Sequence, residues 1–239
     1  MNYSVKSKTT GRAAGHGTIE RLLDTAERLF GDLGYDGVGM RSLADAAGVN
    51  LGAATYHFGS KESLYIETFM RRFRPTSAEQ IESLREAQAQ AQGQPVSVER
   101  LVECLIRAPY RMGLKHPAFH RLLARNLLTP PPFIHAAIHQ ETKPGAEAFI
   151  DAFKRALPAV PRDLIHLRIM IAMGGLLMFS VRPGRHDAAP NPGWDEDFLK
   201  EFVRFISTGM QSDPAVSPAK WRRNPPPAHL IRPQPTDSN

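Results

Sequence analysis

Apolar residues recur at intervals of three and four along most of this chain, and no segment keeps the two-residue alternation of a strand. From about Thr18 to Leu33, the residues Ile19, Leu22, Leu23, Ala26, Leu29, Phe30 and Leu33 form one stripe. That pattern predicts an amphipathic helix capped by Thr18 and stopped by Gly34. The stretch Met40–Ser63 then changes rhythm. Leu43, Ala44 and Ala47 define a short helix, and Gly48 follows where a left-handed residue ends it without a side-chain penalty. Asn50 stands to cap a second short helix reaching about Phe58, and Gly59-Ser60 separates it from a third that Lys61 begins. Two short helices joined by a glycine turn make a helix-turn-helix, whose second helix lies in the DNA major groove.

The helix from Lys61 carries Leu64, Ile66, Phe69, Met70 and Phe73 and is predicted to stop or kink at Pro75. A polar helix over 76–92 follows, anchored by Ile81 and Leu84. Beyond it, Ser97 caps a helix to about Lys115 with a kink at Pro109, and Pro117 opens another through Leu127. After Pro130-Pro131-Pro132, a helix from Phe133 to Leu157 is predicted to be interrupted near Pro144-Gly145. Pro161–Val181 is apolar nearly all round, which predicts burial on nearly all sides. Gly174-Gly175 within it costs roughly 1 kcal/mol per glycine relative to alanine, which close backbone approach would offset. A loop over 182–193 leads to the last helix, Trp194 to about Met210. The fold class is therefore all-α. Residues 17–70 form a three-helix helix-turn-helix domain and 71–212 a larger helical domain. A disordered basic arm at 1–16 and a disordered Pro-rich basic tail at 213–239 flank them.

Charge narrows the partners. A net charge of +6 and a pI near 9.7 favour polyanions, and Lys6, Lys8 and Arg12 in the arm suit phosphate contacts. The single Cys104 excludes an intramolecular disulfide and suits a reducing cytoplasm. No run of about 18 apolar residues reads as a membrane span, and the basic N-terminus lacks the apolar core of a secretory signal. No nucleophile elbow, phosphate-cradling glycine loop or catalytic constellation is visible, so no enzymatic role and no cofactor are expected. His135 with His139, and His116 with His120, have the i, i+4 spacing of metal ligands. Pro117 separates the second pair, and no glutamate follows His135 as in HExxH, so no metal site is assigned.

Over residues 18–65 the chain resembles the DNA-binding domain of the TetR family of bacterial transcriptional regulators. The resemblance rests on Ala26, Leu29-Phe30, Gly34-Tyr35, Met40-Arg41-Ser42-Leu43-Ala44 and Ala47-Gly48-Val49-Asn50. It continues through Gly52, Tyr56-His57-Phe58, Lys61-Glu62 and Leu64. It implies a C-terminal domain that binds a ligand and dimerises, with the last two helices pairing with their counterparts as a four-helix bundle. It also implies an effector that alters the spacing of the two recognition helices. Two departures stand out. Gly39 replaces the usual Ser or Thr cap of the second helix. Leu51, Ala53 and Thr55 occupy positions where many members carry a polar residue, a Thr and a Tyr.

In such a module Arg41, Tyr56, His57 and Lys61 suit phosphate contacts, with Lys61 at a helix N-terminus. Asn50 caps the reading helix, Leu51, Ala53 and Thr55 are the base-facing residues, and Gly52 allows close approach. For the dimer interface the candidates are Ile169, Met173, Gly174, Leu177, Phe198, Phe202 and Phe205. For an effector pocket they are Leu105, Tyr110, Met112, Phe119, Leu123, Phe149, Phe153, Met170 and Met173, with His166 and Arg168 placed to meet an acidic head group. The expected function is a ligand-responsive, cytoplasmic repressor binding a palindromic operator as a homodimer. A small hydrophobic effector such as a fatty acid, acyl thioester or aromatic compound would release it. The alternatives are a DNA-binding regulator with no small-molecule effector, answering to a protein partner or acting constitutively, and, behind it, a His-based metal-binding protein.

Overall fold

The computed structural model describes residues 9–128, 130–180 and 192–213, and among them no strand occurs. The helices are α1 (Thr9–Leu33), α2 (Met40–Ala47), α3 (Leu51–Phe58), α4 (Lys61–Gln90) and α5 (Val98–Lys115). They continue with α6 (Pro117–Leu128), α7 (Ile134–Ala156), α8 (Arg162–Ser180) and α9 (Pro192–Gln211). Of the predicted arm, loop and tail, residues 1–8, 182–191 and 214–239 lie outside the described residues. The rest of the arm is helical. α1 begins at Thr9, and the Thr18 hydroxyl accepts from Arg21 Nη2 at 3.3 Å inside the helix instead of capping it.

The helices continue past the prolines expected to stop, kink or interrupt them. α4 runs through Pro75, α5 through Pro109 and α7 through Pro144. Pro109 removes the N–H that would bond the Leu105 carbonyl four residues earlier, and the Gln80 side-chain amide donates to that carbonyl instead. A tertiary donor thus replaces the missing helical bond. At Gly145, a Cβ would lie 3.3 Å from Ile81 Cδ1, so this glycine lets α7 approach α4 closely.

The chain divides into two units, Met1–Arg72 with Ala118–Phe133, and Phe73–Pro117 with Ile134–Asn239. The first is larger than the 17–70 domain expected from sequence, because α6 packs into it. Phe119 and Leu122 of α6 are fully buried, and Phe119 meets Phe69 with ring centroids 5.3 Å apart. Tyr65 donates to Asn126 Oδ1 at 2.9 Å, and burial pushes the Tyr65 phenol up to about 12. Gly31 permits the contact between α1 and α6, since a Cβ there would sit 2.8 Å from the Ala118 carbonyl oxygen. Arg125 then caps the end of α1, donating to the Gly31 and Asp32 carbonyls at 2.7 and 2.6 Å. α1 is tied to α4 by charge. Buried Glu27 accepts from Arg71 at 2.8 Å and Arg72 at 2.9 Å, and Asp24 accepts from both arginines. Burial alone would lower the Arg71 pKa, but its bonds to Glu27 and Asp24 outweigh that and raise it.

The second unit has its core among Leu84, Leu101, Ile106, Tyr110, Phe153, Ile165, Leu176 and Leu199. The all-round apolar pattern of α8 predicts cover on nearly all sides, yet only one side of it is covered. Ile165, Ile169, Ala172 and Leu176 are buried, while Met170, Ile171 and Met178 are exposed. Nor do its glycines serve close approach: a Cβ on Gly174 would meet nothing within 4 Å, and one on Gly175 would make ordinary contact with Phe202 at 3.7 Å.

The turn between α2 and α3 is closed by backbone bonds. Gly48 is left-handed at φ 62°, its N–H donates to Asp45 O at 3.1 Å, and Val49 N–H donates to Ala44 O at 2.9 Å. Because nothing stands within 4 Å of a Cβ at Gly48, an alanine there meets only the conformational penalty of the left-handed region. Gly48→Ala should therefore lower stability by about 1–2 kcal/mol in urea titration, with Gly48→Asn falling between it and the parent.

Candidate nucleic-acid interface

α2 and α3 are each only eight residues long, so their ends matter as much as their middles. Gly39 stands at the N-cap of α2 with extended φ and ψ and, as the sequence implies, offers no side-chain bond to it. Ser42 makes up part of the loss: its hydroxyl accepts from Gly39 N–H at 3.1 Å and donates to Gly39 O at 2.8 Å. Asn50 caps α3 as predicted, with Oδ1 accepting from Gly52 N–H at 2.7 Å. Gly52 has a structural reason of its own, because a Cβ there would lie 3.0 Å from that same Oδ1. Ser60 caps α4, accepting from Ser63 N–H at 3.1 Å.

α3 buries only Ala54 fully. At about 100° per residue, Gly52 and Tyr56 lie within about 20° of the direction opposite Ala54, and Ala53 and Thr55 flank them by about 80°. Gly52, Thr55, Tyr56 and His57 are exposed, with Tyr56 at 86%. Leu51 is half-buried and lies on the core side of this arc, so the outward face centres on Gly52 and Tyr56 instead. Tyr56 and His57 rings meet edge to face at 5.5 Å.

Arg41 is exposed on α2. Lys61 is half-buried, and its Nζ sits 4.0 Å from the centroid of the Tyr35 ring. This cation–π contact holds the ammonium at the N-terminus of α4. Tyr35 in turn packs edge-on against Tyr65 at 5.3 Å and Phe133 at 4.9 Å. Burial, with Glu62 and Asp36 nearby, raises the Tyr35 phenol. Sequence reasoning reaches neither Tyr35 as a seat for Lys61 nor Ser42 as a substitute cap. The Gly34-Tyr35 pair is visible there, but its 26-residue separation from Lys61 carries no periodic signal.

The residues expected to line a pocket do not form one group. Phe119 and Leu123 belong to the first unit. Leu105, Tyr110, Phe149 and Phe153 are buried core of the second, Met112, His166 and Met173 are half-buried, and Met170 is exposed. Arg168 is not directed at a head group, because it donates to Met210 O at 2.6 Å and Ser212 O at 2.9 Å, capping α9. A cleft of about 280 Å³ in this unit is lined instead by residues of α5 and α9 including Arg100, Glu103, Arg107 and Lys200. Of the expected dimer residues, Ile169 is buried, Met173 and Leu177 are half-buried, and Gly174 and Phe205 are exposed. Phe198 and Phe202 are engaged within the chain, where Phe198 stacks on Phe179 at 3.7 Å and packs beside Tyr110 and Phe202. The His135 side chain lies outside the described residues, and among those described no cluster of three or more His, Cys, Asp or Glu could hold a metal. No described helix is long and apolar enough to cross a membrane.

Comparison with known proteins agrees with this geometry. The model for bacterial regulatory proteins of the tetR family matches residues 22–68, and that for the tetracyclin repressor-like C-terminal domain matches 99–209. The HTH-type transcriptional repressor AcnR of Corynebacterium glutamicum is 40% identical over 47 residues, 20% of this chain, and the match spans about a quarter of that relative's length. The HTH-type transcriptional activator FasR of Mycolicibacterium smegmatis is 28% identical over 81% of this chain and 83% of its own. The ketosteroid transcriptional regulator KstR2 of Mycobacterium tuberculosis shares the fold, with a TM-score of 0.58 and 20% identity over 88% of this chain and 98% of that one. With an N-terminal helix-turn-helix and a C-terminal helical region matched in family order, this chain belongs to the TetR family of DNA-binding transcription regulators.

Proposed function

We propose that this regulator binds a palindromic operator as a homodimer, represses by occupying it, and is released by a small hydrophobic effector. The observation that carries the dimer is the uncovered apolar face of α8 and α9. Met170 (47% exposed), Ile171 (61%) and Met178 (68%) share one side of α8 with Gly174, and Phe205 (72%) with Gly209 faces outward from α9. A Cβ on either glycine would meet nothing within 4 Å, which leaves room for a second backbone. An apolar surface of this kind on two adjacent helices is what a self-complementary two-fold interface buries. Pairing would present two copies of α3 to successive major-groove turns, about 34–36 Å apart or further, and so call for an inverted repeat.

Repression is supported by the AcnR likeness in the DNA-binding segment, while the longer FasR likeness is to an activator, so transcription from the bound promoter with and without this protein decides the sign. The hydrophobic effector is supported by the apolar character of the second unit, where Leu105, Tyr110, Phe149 and Phe153 line the interior without an ionisable side chain other than the Tyr110 phenol among them. A ligand entering there has to displace packed side chains, which links its binding to a change of shape.

Three outcomes are expected. The purified chain sediments as a dimer at micromolar concentration, and Ile171→Asp combined with Phe205→Asp shifts it to monomer; a monomeric parent chain would overturn the two-fold reading. Lys61→Ala weakens binding to every duplex and lowers the slope of log affinity against log salt by about one, since it removes one phosphate contact. In a thermal-shift screen of fatty acids, acyl thioesters and small aromatics, one class raises the midpoint, with about 2.7 kcal/mol gained at a hundred times its Kd. A screen silent across all three classes would favour regulation without a small-molecule effector.

A further inference from the structure

The free face of α3 carries no side chain able to make a two-point contact with a purine. Its sequence from Leu51 to Phe58 holds no Arg, Lys, Asn or Gln, the residues that pair bidentately with guanine or adenine. Asn50, the nearest amide, is committed to the α3 cap, where its oxygen accepts from Gly52 N–H at 2.7 Å. Lys61 is drawn back over the Tyr35 ring. Beside the exposed His57 imidazole, α3 presents a bare backbone at Gly52, the methyl groups of exposed Thr55 and half-buried Ala53, and the ring of Tyr56 at the centre of the outward arc. Apart from the Thr55 and Tyr56 hydroxyls, these groups are apolar. Only the C5-methyl of thymine gives such groups an apolar partner in the major groove.

We infer that this regulator reads its operator through thymine methyl groups, with Ala53, Thr55 and Tyr56 as the residues that distinguish sequences. This rests on α3 being the reading helix of the proposed DNA complex. Gly52, which keeps the Asn50 cap free of a clash, also brings the helix axis close enough for a one-carbon side chain such as that of Ala53 to reach a base edge. Tyr56 moves from the phosphate role expected on sequence to the groove, because it projects from the middle of the free face and not from its rim. Thr55 has two functions on one side chain: its methyl meets thymine and its hydroxyl bonds a neighbouring base edge. Phosphate work falls to Arg41, His57 and Lys61.

The test does not require the operator sequence. Duplexes are selected from a randomised library with the full-length protein, and the tightest is resynthesised with each thymine replaced in turn by deoxyuridine, which removes one methyl and keeps every hydrogen-bonding group. At least one thymine per half-site should lose about fourfold in affinity, the worth of one buried methyl group. Thr55→Val should keep the sensitivity at its own thymine, and Thr55→Ser should abolish it there while leaving the other positions unchanged. A duplex bound tightly yet indifferent to uracil at every position overturns methyl reading and leaves the DNA-binding role standing. Failure to enrich any duplex overturns the placement of α3 itself.

Discussion

The second helix of the helix-turn-helix has almost no core to hold it. α3 buries a single residue completely, Ala54, and its partner α2 contributes only Leu43, Ala44 and Ala47. Its direction is therefore set by backbone geometry at its two ends. The left-handed Gly48 with its paired bonds to Ala44 and Asp45, the Asn50 cap, and Gly59 at φ 70° donating to Thr55 O together leave few orientations open. The outward placement of Ala53, Thr55 and Tyr56 follows from these few torsions, and so does any contact they make with DNA.

Such a small element has to rest on something rigid. The first unit supplies it through polar ties as much as through packing. Glu27 is buried between Arg71 and Arg72, Tyr65 donates to Asn126, and Arg125 caps the last carbonyls of α1. A buried charge with two partners adds little net stability, but removing one partner leaves a charge without compensation, so the arrangement strongly disfavours other packings of α1 on α4. α6 joins this unit at Gly31, where a side chain of any size would collide with the Ala118 carbonyl. The second unit behaves differently. There α8 and α9 keep one face packed and leave Ile171, Met178 and Phe205 to solvent.

Much of this is legible in the chain itself. The sequence pattern locates the helical segments, although it starts α1 late at Thr18, divides α4 at Pro75 and interrupts α7 near Pro144. The short-range chemistry of Gly48, Asn50 and Gly59-Ser60 locates the helix-turn-helix, because caps and left-handed turns are set by residues within four positions of one another. The missing side chain at Gly39 is equally plain. The expectations that fail depend on partners distant in sequence. The local pattern does not show that Gln80 answers the carbonyl orphaned by Pro109 in α5. Arg168 does not await a ligand because the end of α9 takes it. Phe119 and Leu123 share the apolar spacing of pocket residues, and spacing does not say which of two cores receives them.

The amino-acid sequence by itself thus determined an all-helical chain with a DNA-reading module near its N-terminus, since both are written in local patterns. Tertiary structure decided which side of α3 faces outward, that Lys61 rests on Tyr35, that α6 belongs with the first unit, and that one side of α8 goes uncovered. Those outcomes turn on which apolar faces and hydrogen-bonding groups meet across dozens of residues, and a pattern that repeats every three or four positions holds no record of such meetings.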